Sequence, residues 1–252
     1  MKLKIIDSIA HPSPPWTKLG KKIESLCRKA IHEFNLWPQD NKIAIALSGG
    51  KDSLTLLYLL KALSNRGFPP LDITAIHVSG MFSCGAGVDL SFLEKTCSSL
   101  QIPLIILSSE QKKENLECYS CSRDRRSLIF KEALKRKINT VAFGHHKDDC
   151  LQTLIMNLLH KGEFAGNLPK VFMQHYGVTI VRPLFYVGEN EIKEFAKLYG
   201  FNRITCQCPV GQKSMRQKAK NTLKFLEEEF PQSSQNLFSS VLKYGSKKAL
   251  KP

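Results

Sequence analysis

A glycine-bearing hexapeptide at residues 48–53 has the composition of an anion-binding loop. It reads S-G-G-K-D-S, directly follows the apolar run at residues 43–47, and overlaps the start of a helical pattern at residues 52–62. Where a strand meets a helix, backbone N–H groups and the helix dipole favour an anion, and glycine lets the main chain approach a phosphate closely. The residues of this predicted phosphate loop are Ser48, Gly49, Gly50, Lys51, Asp52 and Ser53.

The same loop carries a carboxylate. Asp52 offers oxygen ligands of the kind that Mg²⁺ prefers, and it would stand beside the bound phosphates. The loop is not a Walker A motif, because the spacing G-x-x-x-x-G-K-[ST] is absent. A glycine turn that only joins a strand to a helix is the simpler alternative. The strand before the loop and the helix after it favour phosphate binding.

Paired histidines and paired aspartates follow the apolar run at residues 140–143. His145 and His146 come first, and Asp148 and Asp149 follow. Open α/β folds bind ligands at the carboxyl edge of the sheet, where a carboxylate suits Mg²⁺ or substrate orientation and a histidine suits phosphate or ribose. Both aspartates also open the next predicted helix, where acids are favoured as caps. The doubled pairs exceed what a cap needs, which favours a functional role.

The eight cysteines are unevenly spaced. Cys118 and Cys121 form a C-x-x-C motif, and Cys206 and Cys208 form C-x-C. The N-terminal residues show no apolar signal segment, so we expect a cytoplasmic protein with reduced thiols. The pairs therefore indicate metal or sulfur chemistry rather than disulfides. The remaining cysteines are typical of small buried apolar residues: Cys27, Cys84, Cys97 and Cys150.

The charge predicts a polyanionic partner. Lysine and arginine total 37 against 22 acidic residues, a net charge of +15, and cations near phosphates release condensed counterions. An inert basic surface, DNA or an anionic membrane also fits the charge alone. No apolar run approaches the roughly 18 residues that cross a bilayer, so we expect no membrane span. Basic residues cluster after both cysteine segments: Arg123, Arg125, Arg126, Lys131, Lys135, Arg136 and Lys137, then Lys213, Arg216, Lys218, Lys220 and Lys224.

The elements that position these residues alternate between strand and helix. Strands are predicted at residues 43–47, 72–78, 103–107, 140–143 and 178–181, and helices at residues 52–62, 88–100, 123–137, 149–159 and 189–199. This order predicts an α/β fold with a parallel five-stranded sheet and helices on both faces. Further helices are predicted at residues 16–34, 214–229 and 235–243. We expect a helical lead-in at residues 1–40, a nucleotide-binding domain at 41–205 and a cysteine-bearing helical segment at 206–252.

These motifs together resemble a known family. The S-G-G-K-D-S string after a strand resembles the pyrophosphate loop of the N-type ATP pyrophosphatases, which cleave ATP between the α- and β-phosphates and adenylate a carbonyl oxygen. Residues 144–154 (G-H-H-K-D-D-C-L-Q-T-L), 118–123 (C-Y-S-C-S-R) and 182–184 (R-P-L) resemble motifs of the tRNA-cytidine 2-thiolation enzymes. Cys208 also precedes Arg216 by eight residues, as the late cysteine of that family precedes its arginine.

The resemblance implies an ATP-dependent tRNA sulfurtransferase that uses ATP, Mg²⁺ and a [4Fe–4S] cluster. Its implied substrate is a cytidine in the tRNA anticodon loop, at position 32, and its implied sulfur donor is a cysteine desulfurase or sulfide. The implied catalytic residues are Lys51, Asp52, Asp148 and Asp149. The implied ATP site comprises residues 48–53 with His77, Gly144 and His145. The implied cluster ligands are Cys118, Cys121 and Cys208.

Several alternatives remain open. A cysteine of the C-x-x-C motif could carry a persulfide while another thiol resolves a disulfide. Structural zinc or inert thiols are also compatible, because C-x-x-C alone does not separate zinc from iron–sulfur ligation. The chain departs from the family pattern at Tyr119, in the C-x-C spacing and in lacking an acid after the second strand. Competing functions are uridine thiolation, attachment of an amine such as lysine, and a non-catalytic RNA-binding or iron–sulfur protein. A homodimer is one option for its assembly.

Overall fold

A computed structural model describes residues 12–80, 89–109, 118–201 and 215–245, and the side chains of these residues except 118–121. The strands are β1 (Lys42–Ala46), β2 (Asp72–Ser79), β3 (Leu104–Ser108), β4 (Thr140–Ala142), β5 (Lys170–Met173) and β6 (Val178–Val181). The helices are α1 (Lys18–Glu33), α2 (Lys51–Leu63), α3 (Leu90–Ser99), α4 (Cys118–Lys135), α5 (Lys147–Lys161), α6 (Glu189–Leu198), α7 (Met215–Glu229) and α8 (Ser233–Tyr244).

The strands form one sheet in the order β3-β2-β1-β4-β6-β5. Strand β1 pairs in parallel with both β2 and β4, so that Ile45 lies opposite Ala75 on one side and Ala142 on the other. The chain moves outward from β1 to β3 and then crosses back to β4. At such a switch point the loops after the two central strands diverge and leave a crevice at the carboxyl edge. The segments that follow β1 and β4 are the two predicted ligand-binding segments.

Strand β1 is buried on both faces, which explains its apolar sequence. Ile43 and Ile45 belong to a core that includes side chains of α1, α2 and α6, whereas Ala44 and Ala46 belong to a smaller core with α4. Only Lys42, at the amino end of the strand, is exposed. Burial on both faces is typical of parallel strands covered by helices. The phosphate loop therefore starts from a strand that is held by packing on both sides.

The predicted α/β class is confirmed, but the sheet has six strands rather than five. The additional strand, β5, pairs antiparallel with β6 at one edge of the sheet. Lys170 and Phe172 of this strand are exposed, and Val171 and Met173 are only half-buried. Antiparallel edge strands are common additions to parallel sheets. Four residues of mixed exposure are too few for a sequence period to identify.

Helix α4 begins earlier than predicted. The sequence pattern places its start at residue 123, after the cysteine motif, whereas the helix begins at Cys118. Cys118 and Cys121 therefore lie in its first turn, three residues apart and on the same side of the helix. Cysteine, serine and tyrosine are only moderate helix formers, so nothing in the local composition marks this start. In the described part of the chain, no helix combines the length and apolarity needed to span a bilayer.

Candidate active site

The phosphate loop is held together by its own serines. The Ser48 and Ser53 hydroxyl oxygens lie 3.0 Å apart. Ser48 Oγ accepts the Gly50 N–H at 3.3 Å, and the Ser53 hydroxyl donates to the Gly50 carbonyl at 3.0 Å. Gly49 has a φ of +82°, a left-handed conformation that glycine adopts without steric cost. Gly50 is the N-cap of α2 and no side chain caps this helix, so its first N–H groups suit an anion.

Lys51 of the loop is shared between two carboxylates. Its Nζ atom lies 2.9 Å from Asp52 Oδ1 and 3.6 Å from Glu189 Oε1 at the start of α6. Glu189 is also contacted by Lys193 at 3.2 Å and by Lys220 at 2.8 Å. Burial acts to raise the pKa of the Glu189 carboxyl, but Lys220, Lys51 and Lys193 together lower it below its ordinary value. Three elements (α2, α6 and α7) thus meet at one ionised carboxylate.

The segment after β4 lies directly against the phosphate loop. A β-carbon built on Gly144 would lie 2.8 Å from both the carbonyl carbon and the carbonyl oxygen of Asp52, and 2.9 Å from the Ser53 nitrogen. Real β-carbons do not approach backbone atoms so closely, so glycine is required at this position. The two segments predicted to bind ATP are therefore in contact, as the switch-point topology requires.

His146 lies among three carboxylates. Its Nε2 atom is 3.6 Å from Asp52 Oδ1 and 3.4 Å from Asp149 Oδ2, and its Nδ1 atom is 3.5 Å from Asp148 Oδ2. The ring is only 5% exposed. Burial opposes protonation, yet the three carboxylates together raise the pKa of His146 above its ordinary value. Against the effect of burial, the His146 ring in turn lowers the pKa values of Asp148 and Asp149.

Both aspartates also stabilise helix starts, as the capping interpretation predicts. Asp149 Oδ2 accepts the His146 N–H at 3.0 Å, and Asp148 Oδ2 accepts the Glu189 N–H at 2.7 Å. Asp149 Oδ1 additionally pairs with Arg216 Nη1 at 3.2 Å. Arg216 lies in α7, which packs against α5. Helix α7 therefore contributes a cation to the carboxyl edge of the sheet.

Arg182, directly after β6, contacts His145. Its Nε atom donates to His145 Nδ1 at 3.3 Å, and its Nη1 atom donates to the Leu168 carbonyl. The His145 ring stacks on Phe143, with centroids 5.5 Å apart and planes 12° from parallel. Burial and the Arg182 charge lower the pKa of His145 well below its ordinary value, although Asp149 opposes this shift. The pKa values of the two adjacent histidines are therefore shifted in opposite directions.

His77 lies near the carboxyl end of β2, beside the strand that leads into the loop. Its Nδ1 atom lies 2.8 Å from the Leu47 carbonyl oxygen, so Nδ1 carries the proton and Nε2 is an acceptor. Nε2 is buried and has no hydrogen-bond partner among the described residues. Burial lowers the pKa of His77, and Arg125 of α4 adds to this effect against the hydrogen bond to Leu47. His77, a predicted ATP contact, thus offers Nε2 of a neutral ring as an acceptor for an N–H group of a ligand.

The cysteine motif begins α4 at the same edge of the sheet. Ser109 follows β3, and its hydroxyl donates to Asp124 Oδ2 in α4 at 2.8 Å, which joins the start of this helix to the carboxyl end of β3. The side chains of Cys118 and Cys121, and the whole of Cys208, lie outside the described residues. Within the described ranges, no group of three or more His, Cys, Asp or Glu side chains is arranged to hold a metal ion.

Three single cysteines are small buried residues, as predicted. Cys27, Cys97 and Cys150 are free and buried. Burial raises the pKa of Cys27 and of Cys150 to about 12, and that of Cys97 to about 11. Since the thiolate is the form that binds metals, these three thiols are unsuited as metal ligands. Cys84 lies outside the described residues.

Glu189 is a site residue that the sequence did not predict. An acid in the first turn of a helix is usually explained by the helix dipole. The sequence therefore gives no sign that Glu189 also contacts Lys51. The signal that identifies it is topological: α6 follows β6, the neighbour of β4, and therefore starts at the same sheet edge. His146 and Arg182 belong to the motifs that the sequence shows. The spacing of those motifs does not predict the three carboxylates around His146, nor the hydrogen bond from Arg182 to His145.

The crevice combines groups that attract a phosphate with groups that attract a cation. The first turn of α2 offers backbone N–H groups to an anion, and Lys51 offers its ammonium. The Asp52 side chain is 32% exposed beside them, so its carboxylate is accessible to a cation held by the same phosphates. A nucleotide with its divalent cation is the ligand that this combination suits.

Comparisons with known proteins agree with this geometry. The PP-loop domain family (ATP_bind_3) matches residues 17–209. A tRNA-cytidine(32) 2-sulfurtransferase from Geobacter metallireducens is 32% identical over 231 residues, which cover 89% of this chain and 90% of the relative. The protein of the same name from Syntrophotalea carbinolica is 32% identical over 238 residues, which cover 89% of each chain.

A solved structure shares the fold. The U34-tRNA thiolase NcsA from Methanococcus maripaludis, determined with its [4Fe–4S] cluster, superposes with a TM-score of 0.73 at 24% identity, covering 90% of this chain and 79% of that one. The family match spans most of the chain, and the relatives align over nearly their whole lengths. The chain therefore belongs to the PP-loop family and, within it, to the tRNA-cytidine 2-sulfurtransferases, a group of ATP-dependent enzymes.

Proposed function

We propose that this enzyme replaces the C2 carbonyl oxygen of a tRNA cytidine with sulfur, at the position 32 that its relatives are named for. The observation that carries the proposal is the contact of Gly144 with Asp52. Because of this contact, one crevice at the carboxyl edge of the sheet is lined by Lys51 and Asp52 and by His146 with its partners Asp148 and Asp149. Membership of the family supports tRNA as the substrate and sulfur as the transferred atom.

The reaction begins with ATP on residues 48–53. The N–H groups at the start of α2 and the Lys51 ammonium stabilise the charge on the phosphates. The cytosine C2 oxygen attacks the α-phosphorus, pyrophosphate leaves, and the C2 oxygen becomes esterified to AMP. Hydrosulfide then attacks C2; where a cysteine desulfurase supplies the sulfur as a persulfide, a thiol reductant first provides the two electrons that release it as hydrosulfide. The C2–O bond breaks, AMP departs, and the sulfur loses its proton to give 2-thiocytidine.

Asp52 is the residue that we propose holds Mg²⁺. Its carboxylate is partly exposed and forms an ion pair with Lys51 and with His146. When Lys51 turns toward the phosphates, Asp52 loses its nearest cation and can bind another. Bound Mg²⁺ neutralises phosphate charge and makes pyrophosphate a better leaving group. Asp148 and Asp149 contact the His146 ring and hold it beside Asp52. We assign to the same two carboxylates the orientation of the substrate.

The [4Fe–4S] cluster is proposed on Cys118, Cys121 and Cys208. The first two cysteines stand one helical turn apart at the start of α4. The bond from Ser109 to Asp124 holds that helix start at the sheet edge that also carries the phosphate loop. Cysteines at C-x-x-C spacing are common ligands of iron–sulfur clusters. With three protein thiolates as ligands, such a cluster would leave one iron open to exogenous sulfide.

Exposed cations near the crevice support binding of the tRNA backbone. Arg123 of α4 and Lys218 of α7 are exposed, and both helices start at or beside the carboxyl edge of the sheet. The net charge of +15 makes the surface attractive to phosphates. Phosphate contacts position an RNA without specifying its sequence. We therefore assign the recognition of the cytosine base to residues that line the crevice.

The deciding experiment measures products from unmodified tRNA. Protein purified anaerobically is incubated with radiolabelled ATP, Mg²⁺, sulfide and a tRNA transcript that has cytidine at position 32. We expect AMP and pyrophosphate only when tRNA is present, and 2-thiocytidine in the digested nucleosides by mass spectrometry. Formation of 2-thiouridine instead would change the substrate, and ATP cleavage without any modified nucleoside would contradict sulfur transfer.

Asp52→Asn tests the site within the same assay. Loss of one electrostatic partner of the transition state typically costs about 10²-fold or more in rate, and we expect a loss of that size in a variant with an unchanged circular dichroism spectrum. Asp72→Asn is the matched control, because Asp72 is exposed at the first position of β2, on the opposite edge of the sheet. It should turn over like the wild type. Full activity of folded Asp52→Asn would remove its assigned role.

A further inference from the structure

Arg182 determines which nitrogen of His145 can carry a proton. Arg182 Nε lies 3.3 Å from His145 Nδ1. A guanidinium has only donors, so Nδ1 must be the acceptor of this hydrogen bond. A neutral imidazole then carries its one proton on Nε2. His145 is therefore able to donate a hydrogen bond from Nε2 and has no lone pair there with which to accept a proton.

Packing holds both members of this pair. Arg182 is only 7% exposed, and its Nη1 atom donates to the Leu168 carbonyl, which limits rotation of the guanidinium. The His145 ring is stacked on Phe143 at a near-parallel angle. A ring held on one face and bonded at one nitrogen has its remaining nitrogen directed by the protein.

The charges around His145 favour the neutral ring. Arg182 follows β6 and Arg216 lies in α7, and both oppose an imidazolium, as does the adjacent His146. Asp149 of α5 is the opposing influence. Burial acts in the same direction as the arginines. Electrostatics and the hydrogen bond from Arg182 therefore agree on a neutral His145.

We propose that Arg182 is a positioning residue that fixes His145 as a neutral Nε2–H donor to a phosphate oxygen of ATP. This inference rests on the proposed function, because ATP on residues 48–53 would place its phosphates beside the Gly144–His145 segment. The contact of Gly144 with the backbone of Asp52 and Ser53 brings His145 to that position. A donor of this kind stabilises a phosphate oxygen without adding a second full charge next to Lys51.

Two amide substitutions separate the two ring nitrogens. The amide of glutamine reaches the position of Nε2, whereas the shorter amide of asparagine reaches that of Nδ1. His145→Gln keeps a donor for ATP, and His145→Asn keeps only a partner for Arg182. We expect kcat for tRNA-dependent AMP formation to fall less than about 10-fold in His145→Gln and about 10²-fold or more in His145→Asn. The KM for tRNA should not change in either variant. The reverse order of activity would overturn the proposal.

The tautomer is measured without reference to turnover. Nitrogen NMR of the full-length protein labelled with ¹⁵N-histidine distinguishes protonated from unprotonated ring nitrogens, with His145→Gln assigning the resonance. We expect His145 to be unprotonated at Nδ1 and protonated at Nε2, while the exposed His175 averages between tautomers. In Arg182→Lys we expect His145 to lose this single state. If that variant does not fold, the wild-type spectrum still decides.

The two measurements separate this inference from the function on which it rests. A proton on Nδ1 in the wild type would overturn the role of Arg182 whatever the enzyme does to tRNA. The expected tautomer in a protein that forms no AMP with any tRNA would support Arg182 as a positioning residue and would contradict the proposed function.

Discussion

Gly144 rests against the backbone of Asp52, so that a β-carbon at residue 144 would lie 2.8 Å from the Asp52 carbonyl oxygen. The three atoms nearest the added carbon all belong to the backbone, so no side chain can rotate to make room. Gly144→Ala should push the phosphate loop away from the segment after β4. We expect about 1–3 kcal/mol less unfolding free energy, as in other overpacked sites, and markedly weaker ATP binding by calorimetry.

Gly162→Ala is the control for this substitution. Gly162 has a φ of +61°, and an added β-carbon would have nothing within 4 Å, so this variant bears only the cost of a left-handed residue, about 1–2 kcal/mol. Its ATP affinity should equal that of the wild type. Wild-type ATP affinity in Gly144→Ala would show that this contact does not shape the loop.

The affinity for tRNA should fall steeply as salt rises. Arg123→Ala and Lys218→Ala each remove one exposed cation beside the crevice. We expect each change to weaken binding and to reduce the slope of log K against log salt by about one unit. Lys61→Ala is the control, because Lys61 is exposed in the last turn of α2, away from the loop. An affinity that does not depend on salt would exclude a phosphate-contacting surface.

The cysteine assignment predicts iron and colour. Anaerobically purified protein should be brown with about four irons per chain. Serine at Cys118, Cys121 or Cys208 should remove both colour and thiolation, because oxygen is a poor ligand for such clusters. Cys206→Ser should have a milder effect, because Cys208 has the family spacing to Arg216.

Cys97→Ser is the matched control for the cysteine variants. Cys97 is 1% exposed and its pKa is raised by burial, so we expect lower stability with full iron content. Stoichiometric zinc without visible absorption would contradict the cluster and remove its sulfide-binding iron. An essential Cys206 with a dispensable Cys208 would leave the cluster in place and show that the third ligand was assigned to the wrong cysteine.

Glu24 in α1 predicts an acid-sensitive contribution to stability. The side chain is 10% exposed, accepts from Trp16 Nε1, and lies 2.7 Å from Arg28 Nη2 and 3.4 Å from Arg66 Nη1. Burial acts to raise its pKa, but Arg28, Trp16 and Arg66 lower it below its ordinary value. A lowered folded-state pKa adds stability that is present above the unfolded value of about 4.3 and is lost as pH falls through the folded value.

Denaturant titrations of Glu24→Gln across pH measure this contribution. We expect about 1–3 kcal/mol less unfolding free energy at neutral pH and a flatter decline below about pH 4.3. Glu228→Gln makes the same charge change at a side chain that is 61% exposed and should leave the curve nearly unchanged. An equally steep acid decline in Glu24→Gln would assign the acid sensitivity to other groups.

The features that could be predicted from the sequence depend on neighbours along the chain. The phosphate loop is recognisable because an apolar strand, two glycines and a helix follow one another within residues 43–62. The α/β class follows from the order of the periodic segments, and burial of Cys27, Cys97 and Cys150 follows from the chemistry of an isolated thiol. The cluster ligands stay a prediction, since Cys208 lies outside the described residues.

Only the tertiary structure decided which distant side chains meet. Glu189 reaches Lys51 because α6 starts beside α2 at one edge of the sheet, and Arg182 reaches His145 because β6 pairs with β4. The edge strand β5 likewise depends on its pairing with β6. Such contacts are set by strand register and helix packing over long sequence separations. An ion pair or hydrogen bond requires atoms a few ångströms apart in space. The spacing of residues within one motif does not determine which distant residues come that close.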